Sequence, residues 1–269
     1  MKLAGLLDKM AVIARRDLLT AIRHRSSFLI TAAGAMAELA AFFYLARAIG
    51  PGFRPEGVDY FPFLLVGTGL YTFLVMGINA FLVIVQEAQQ TGTLEVLMTT
   101  ATPPAVLVFL SALSAFAENT LQLVLYLGVG LLLFRAPIEH ANIAGCLVVF
   151  LLSLTVAVAI GILAAALQIA IQKGSALVWV LGSGAWFMTG TLFPVASLPR
   201  PLQVVAQFIP ITYSLDGMRL ALLQGADFSV LARPIGMLLT SCLVLLPFSL
   251  LMLSYALRRA RLAGTLSFY

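Results

Sequence analysis

From Tyr60 to Val85 the chain runs 26 residues without one charged side chain. As a helix, that run reaches about 39 Å at 1.5 Å per residue, more than the roughly 30 Å of hydrocarbon in a bilayer. Five more apolar runs accompany it. They are about Phe28–Ala46, interrupted by Glu38; Ala105–Phe134, carrying Glu118; Ile143–Ile171; Ala176–Phe193; and Pro234–Leu257. They are far too long for barrel strands and do not alternate. The pattern predicts an all-α integral membrane protein with six transmembrane helices. Composition agrees. Of 269 residues, 61% are hydrophobic and 10% charged, where soluble chains carry about 25% charged residues. So few charges could not cover a soluble domain, which excludes a soluble enzyme, a nucleic-acid-binding module and a disordered tail. No nucleic-acid partner is expected.

The basic residues lie where a membrane topology needs them. Six of the 16 Lys and Arg fall in the first 25 positions (Lys2, Lys9, Arg15, Arg16, Arg23 and Arg25), and Arg258, Arg259 and Arg261 close the chain. Six spans put both ends on one side, and the resulting split of ten basic residues inside against six outside favours cytoplasmic termini. The expected organisation is an amphipathic helix over 1–26, a six-span domain over 27–258 and a basic cytoplasmic tail over 259–269. Within the domain, 86–104 forms a cytoplasmic loop and 194–232 a broken segment on the outer side. The N-terminus does not read as a cleavable signal peptide, because its polar lead is long and further spans follow. Cys146 and Cys242 sit in apolar runs and read as small buried hydrophobes. No internal repeat supports an inverted-repeat transporter.

Four segments carry more than span length. Lys2, Lys9, Arg16 and Arg23 recur every seven residues, with Leu3, Leu6, Leu7, Met10, Ile13, Leu18 and Ile22 at helical spacing on another face. Such a helix lies in the membrane interface, in contact with lipid. It reads either as a plain anchor or as a lever that also touches a cytoplasmic partner. In the 86–104 loop, Thr93 is placed to cap a short helix from Leu94, with Glu95 in its first turn and Pro103 and Pro104 ending it. The segment from Pro194 through Pro199, Pro210, Tyr213, Gly217 and Arg219 to Gly225 has too many prolines for another span and is too apolar for a free loop. Two short helices dipping into the outer leaflet, with their corners shielded by protein, satisfy both facts. Glu38 and Glu118 are intramembrane carboxyls. They read as a polar pathway lining or as protonated, hydrogen-bonded structural groups, and Asn79, Asn119, Gln122 and Gln168 as pathway or as helix–helix glue.

Several chemistries find no residues here. His24 and His140 fall near opposite faces, so no metal site is expected. No G-x-S-x-G or H-E-x-x-H motif occurs, and Lys173-Gly174-Ser175 lacks the upstream glycine of a phosphate loop. No cofactor is expected in the chain, nor an enzymatic activity of its own.

Glu87 followed by Gly92-Thr93-Leu94-Glu95 just before Thr102-Pro103 carries a resemblance. So do Leu192-Phe193-Pro194 to Leu198-Pro199, and Pro210-Ile211-Thr212-Tyr213 to Gly217-Met218-Arg219 and Gln224-Gly225. In this order they resemble the permeases of bacterial export ABC transporters of the second type, a group that includes drug-resistance permeases and is related to the G-subfamily half-transporters. The resemblance covers almost the whole chain. It implies a multi-pass protein of the bacterial inner membrane, assembled as two permeases, identical in the simplest case, with two copies of a separate ATPase subunit that binds ATP and Mg. It implies that Glu87 to Thr100, including Gly92, Thr93, Leu94, Glu95 and Leu97, forms a coupling helix seated on the ATPase. The N-terminal helix becomes a connecting helix, and Ser197 to Gly225 an outer re-entrant gate. The family often carries basic residues between the Glu and the Gly-Thr-Leu-Glu. Here those positions are Ala88, Gln89, Gln90 and Thr91, which leaves no basic group there for a salt bridge with the ATPase. Within that family, the apolar spans and compact outer loops of this chain favour a hydrophobic drug or lipid over a polysaccharide or glycolipid as cargo. The competing class is a proton-coupled secondary transporter using Glu38 or Glu118.

Overall fold

The computed structural model describes residues 25–91, 104–134, 141–171 and 173–263. Every regular element among them is helical. Helix α1 covers Arg25–Ile49, α2 Tyr60–Gln90, α3 Pro104–Leu133 and α4 Ile143–Ile171. A fifth helical stretch is divided into α5 (Gly174–Trp179), a π-helical turn (Val180–Gly184) and α6 (Ala185–Met188). Two short helices follow, α7 (Arg200–Gln207) and α8 (Pro210–Leu223), and then α9 over Phe228–Ala263. By length and composition, α2, α4 and α9 are long and apolar enough to cross a membrane.

Several boundaries differ from the sequence expectation, each for a physical reason. Helix α2 continues past Val85 to Gln90, so Gln86 to Gln90 are helical and not loop. Gln, Glu and Ala are good helix formers and nothing among them breaks the helix. The fifth stretch stops at Met188 and not Phe193. Gly190 then takes φ +82, a left-handed turn that ends the segment. The stretch from Gly174 to Met188 is only about 22 Å long, short of a full crossing. The last helix begins at Phe228, six residues before Pro234, and runs to Ala263, so 228–232 leave the broken segment and Arg259 and Arg261 leave the tail. Pro234 and Pro247 lie inside that helix. Prolines are tolerated in apolar helices whose freed backbone groups find other partners.

Cross-helix contacts fix the directions. Phe73 of α2 stacks on Phe150 of α4, Gly161 of α4 lies against Phe81, and Gln89 meets Gln168. Rising numbers pair with rising numbers, so α2 and α4 run parallel. Gly145 and Leu152 of α4 meet Leu231 and Cys242 of α9 in the same sense. Against α3 the order reverses, with Leu65, Gly69 and Gly77 meeting Gly130, Tyr126 and Phe116. One end of the bundle therefore gathers the starts of α2, α4 and α9. The opposite end holds the end of α2 and the start of α3.

The core is apolar and centred on α2 and α4, where Leu74, Ile78, Phe81, Val85, Val156 and Ala165 are buried together. A second, smaller cluster joins α1 to α3 and the start of α2 through Leu39, Phe61 and Leu65, with Phe43, Phe61 and Phe134 in mutual ring contact at 5.1–5.6 Å between centroids. Helix α9 leaves much of its apolar surface uncovered, including Leu243 and Leu251.

Candidate functional site: two polar joints on one helix

At the starting end of α2, a buried cation ties three chain segments together. Arg219, on α8, is fully buried. Its Nε and Nη2 donate to the Phe63 carbonyl of α2 at 3.3 and 3.2 Å. Nη1 donates to Gly190 O at 2.8 Å and Nη2 to Thr191 O at 2.9 Å, both in the turn after α6. The guanidinium carbon lies 3.5 Å from the centroid of the Phe63 ring. Arginine suits this place because its planar fork spreads one charge over donors that reach several acceptors. Burial lowers its pKa to about 10, while Glu56 and Asp216 act the other way, so it stays charged at neutral pH. The joint also explains Gly67. A Cβ there would overlap Arg219 Nη2 and crowd Thr191 O.

The other residues marked in the broken segment build the corner that carries Arg219. Pro194 precedes a short 3-10 turn over Val195–Ser197, and Pro199 stands immediately before α7. Gln203 donates to Ala196 O at 3.0 Å and to Leu198 O at 2.7 Å, so this irregular backbone is satisfied by a side chain. Pro210 opens α8, where a missing N–H costs nothing. Thr212 donates to Ala206 O at 2.9 Å and Tyr213 to Gln207 O at 3.0 Å. The last carbonyls of α7 are thus capped from α8, and the two helices form one unit. Gly217 lets α8 approach Val149 of α4 and Pro234 of α9 closely. Asn142, just before α4, completes the anchorage: its N–H donates to Ala221 O and its side-chain amide to Ala226 O, both at 2.9 Å, while its Oδ1 accepts from Gly145 N.

At the other end of α2 lies a weaker joint. Gln168 Nε2 of α4 donates to Gln89 Oε1 at 3.3 Å, with both side chains buried. Glu87 is on the same last turns of α2, not in a loop, and its carbonyl accepts from the Thr91 N–H and hydroxyl. Gly92, Thr93, Leu94, Glu95 and Leu97 lie outside the described residues, as do Lys2, Lys9, Arg16 and Arg23 of the N-terminal helix.

The pathway candidates are spread over three helices. Glu38 is on the exposed face of α1, Asn79 is partly buried on α2, and Asn119 and Gln122 are partly buried on α3. The side chain of Glu118 lies outside the described set. Between these helices the clearest polar link is Thr68 of α2 to Tyr126 of α3, at 3.1 Å. Sequence reasoning missed that pair, and also Tyr71, which donates to the Leu181 carbonyl inside the π-helical turn. Among the described residues no group of three His, Cys, Asp or Glu could hold a metal ion.

A comparison with family models matches residues 9–223 to the ABC-2 type transporter model. The chain belongs to the ABC-2 type transporter family. The matched stretch includes α1 through α8, the Gly92-Thr93-Leu94-Glu95 motif and the Arg219 joint. An ABC-2 membrane domain is the transmembrane permease component of an ABC transporter and not itself the ATPase, so the chain works with an ATP-hydrolysing partner subunit. Among curated proteins the comparison finds no match.

Proposed function

We propose that this ABC-2 permease exports a hydrophobic, drug-like or lipid substrate from the cytoplasmic membrane of a bacterium. It does so as one of two identical permeases driven by two ATPase subunits, which bind the ATP and Mg. In this reading 1–26, with Lys2, Lys9, Arg16 and Arg23, is an interfacial connecting helix. Glu87 and the segment with Gly92, Thr93, Leu94, Glu95 and Leu97 engage the ATPase from the cytoplasm. The α7–α8 unit is the outer gate, and Glu38, Asn79, Asn119 and Gln122 contribute polar groups to the path.

One observation carries the proposal. Helix α2 runs unbroken for 31 residues, about 46 Å, from the Arg219 joint to within two residues of the Gly-Thr-Leu-Glu motif. A single rigid element therefore reaches from the gate unit to the segment that meets the ATPase. A conformational change requires different contacts in its two states, and that segment is where the nucleotide cycle can supply them. The apolar core and the few polar groups between the helices favour a lipophilic cargo.

The test replaces Leu94 and Glu95 together by alanine. Loss of both ATPase association and ATP-driven efflux of a lipophilic dye is expected. Unchanged association and efflux would overturn the assignment.

A further inference from the structure

We infer that Arg219 is a positioning residue that makes the α7–α8 unit move as one body with α2, so that displacement at the far end of α2 arrives at the gate undiminished. The inference rests on the ATP-driven reading above and goes beyond it. Three features of the site carry it.

First, the guanidinium bonds to backbone carbonyls on two other segments, Phe63 of α2 and the Gly190–Thr191 turn. Carbonyl partners are fixed by the chain path, whereas a carboxylate partner could swing on its own side chain. Second, the charge is fully buried, and no carboxylate lies within ion-pair distance of it among the described residues. Letting go would strand a cation and at least two carbonyls in a dry site, which is far more costly than breaking an exposed pair. Third, Gly67 leaves the space the fork occupies, so the surface of α2 is shaped to receive it. Thr212 and Tyr213 pass the constraint on to α7. Towards its far end α2 meets α4 through the neutral pair Gln89 and Gln168, not through a charged group.

Distances between spin labels in the permease–ATPase complex test this, in a background with Cys146→Ala and Cys242→Ala. One label pair, Thr72→Cys with Val204→Cys, joins exposed positions on α2 and α7. The other, Gln90→Cys with Ile171→Cys, reports the far end of α2 against α4. With Arg219 present, trapping ATP is expected to shift the second pair by more than about 2 Å and to leave the first unchanged within that limit, the scale of packed-helix shifts. In Arg219→Met, and independently in Gly67→Ala, which keeps the arginine but fills its seat, the first pair is expected to shift and broaden on ATP binding. Movement of the first pair in the unmodified joint would overturn the inference. So would a first pair that stays fixed in both variants. If neither pair responds to nucleotide with the joint intact, the ATP-driven reading itself fails and takes the inference with it.

Discussion

At its start, α2 meets a charged fork that donates four hydrogen bonds, two of them to its own Phe63 carbonyl; towards its end, the polar contact with α4 is a neutral amide pair at 3.3 Å beside the buried Val85 and Ala88. Hydrogen bonds to charged groups contribute about 1.5–3 kcal/mol each and neutral ones about 0.5–1.5 kcal/mol. The first joint crosses to two other segments and the second to one. The difference teaches where the helix can give way. A rod tied by charge at one end and by a neutral pair at the other is expected to carry its charged joint with it when it is displaced.

The largest expected effect comes from Arg219→Met. It leaves the Gly190 and Thr191 carbonyls buried without their donor, at about 1–3 kcal/mol each. Phe63 O keeps its place in the helix ladder. The melting temperature in detergent is expected to fall, and transport per ATP hydrolysed to drop about tenfold or more, the equivalent of about 1.4 kcal/mol of lost coupling. Arg219→Lys is expected to recover only part, because an ammonium cannot reach all three carbonyls from one position. Equal transport per ATP in the Met variant would erase the distinction between the two ends.

Gly67→Ala should come next, at about 1–3 kcal/mol for forcing a methyl into a filled site. Combined with Arg219→Met it is expected to cost less than the sum, since both changes break one joint. Additive melting shifts in the double variant would show that Gly67 and Arg219 act separately.

Much of this frame was legible in the sequence, and the boundaries of α4 were read without error. Apolar runs report burial directly, and Pro210 marks a helix start by its own chemistry. The joints were not legible. Phe63 and Arg219 are 156 residues apart, and a fully buried arginine contradicts the ordinary rule that charges stay outside. Gln89 reads as loop because a polar run after a span looks like its end, whereas helix propensity carries α2 on to Gln90. The π-helical turn and its Tyr71 partner left no mark in the residue pattern.

A smaller effect is expected from Gln89→Leu at the light joint. It leaves the buried Gln168 amide without its Gln89 acceptor, so about 1–3 kcal/mol of stability is lost, against two such groups in Arg219→Met. Because this end is the one that yields, ATPase association is expected to survive. A loss as large as that of Arg219→Met would reverse the ranking of the two joints.

The last effect is read as a pH dependence, apart from the ranking above, and concerns Asp216 on α8, one turn before Arg219. Burial, with Glu56 adding to it, pushes its carboxyl up to about 7, against the pull of Arg219 and Arg233. A carboxyl raised in the folded state binds more protons there than in the unfolded chain, so its contribution to stability falls as pH rises from about 4 towards 7. Asp216→Asn is therefore expected to raise the melting temperature above pH 7 and to change it little near pH 4. A gain at low pH alone would contradict the sign.

The account depends most on the claim that this permease moves cargo only when a separate ATPase acts on it. Inside-out vesicles holding the purified chain, with and without its ATPase subunit, can be supplied with ATP and a lipophilic dye. Dye accumulation that requires both ATP and the second subunit is expected. Accumulation by the permease chain alone would contradict the account.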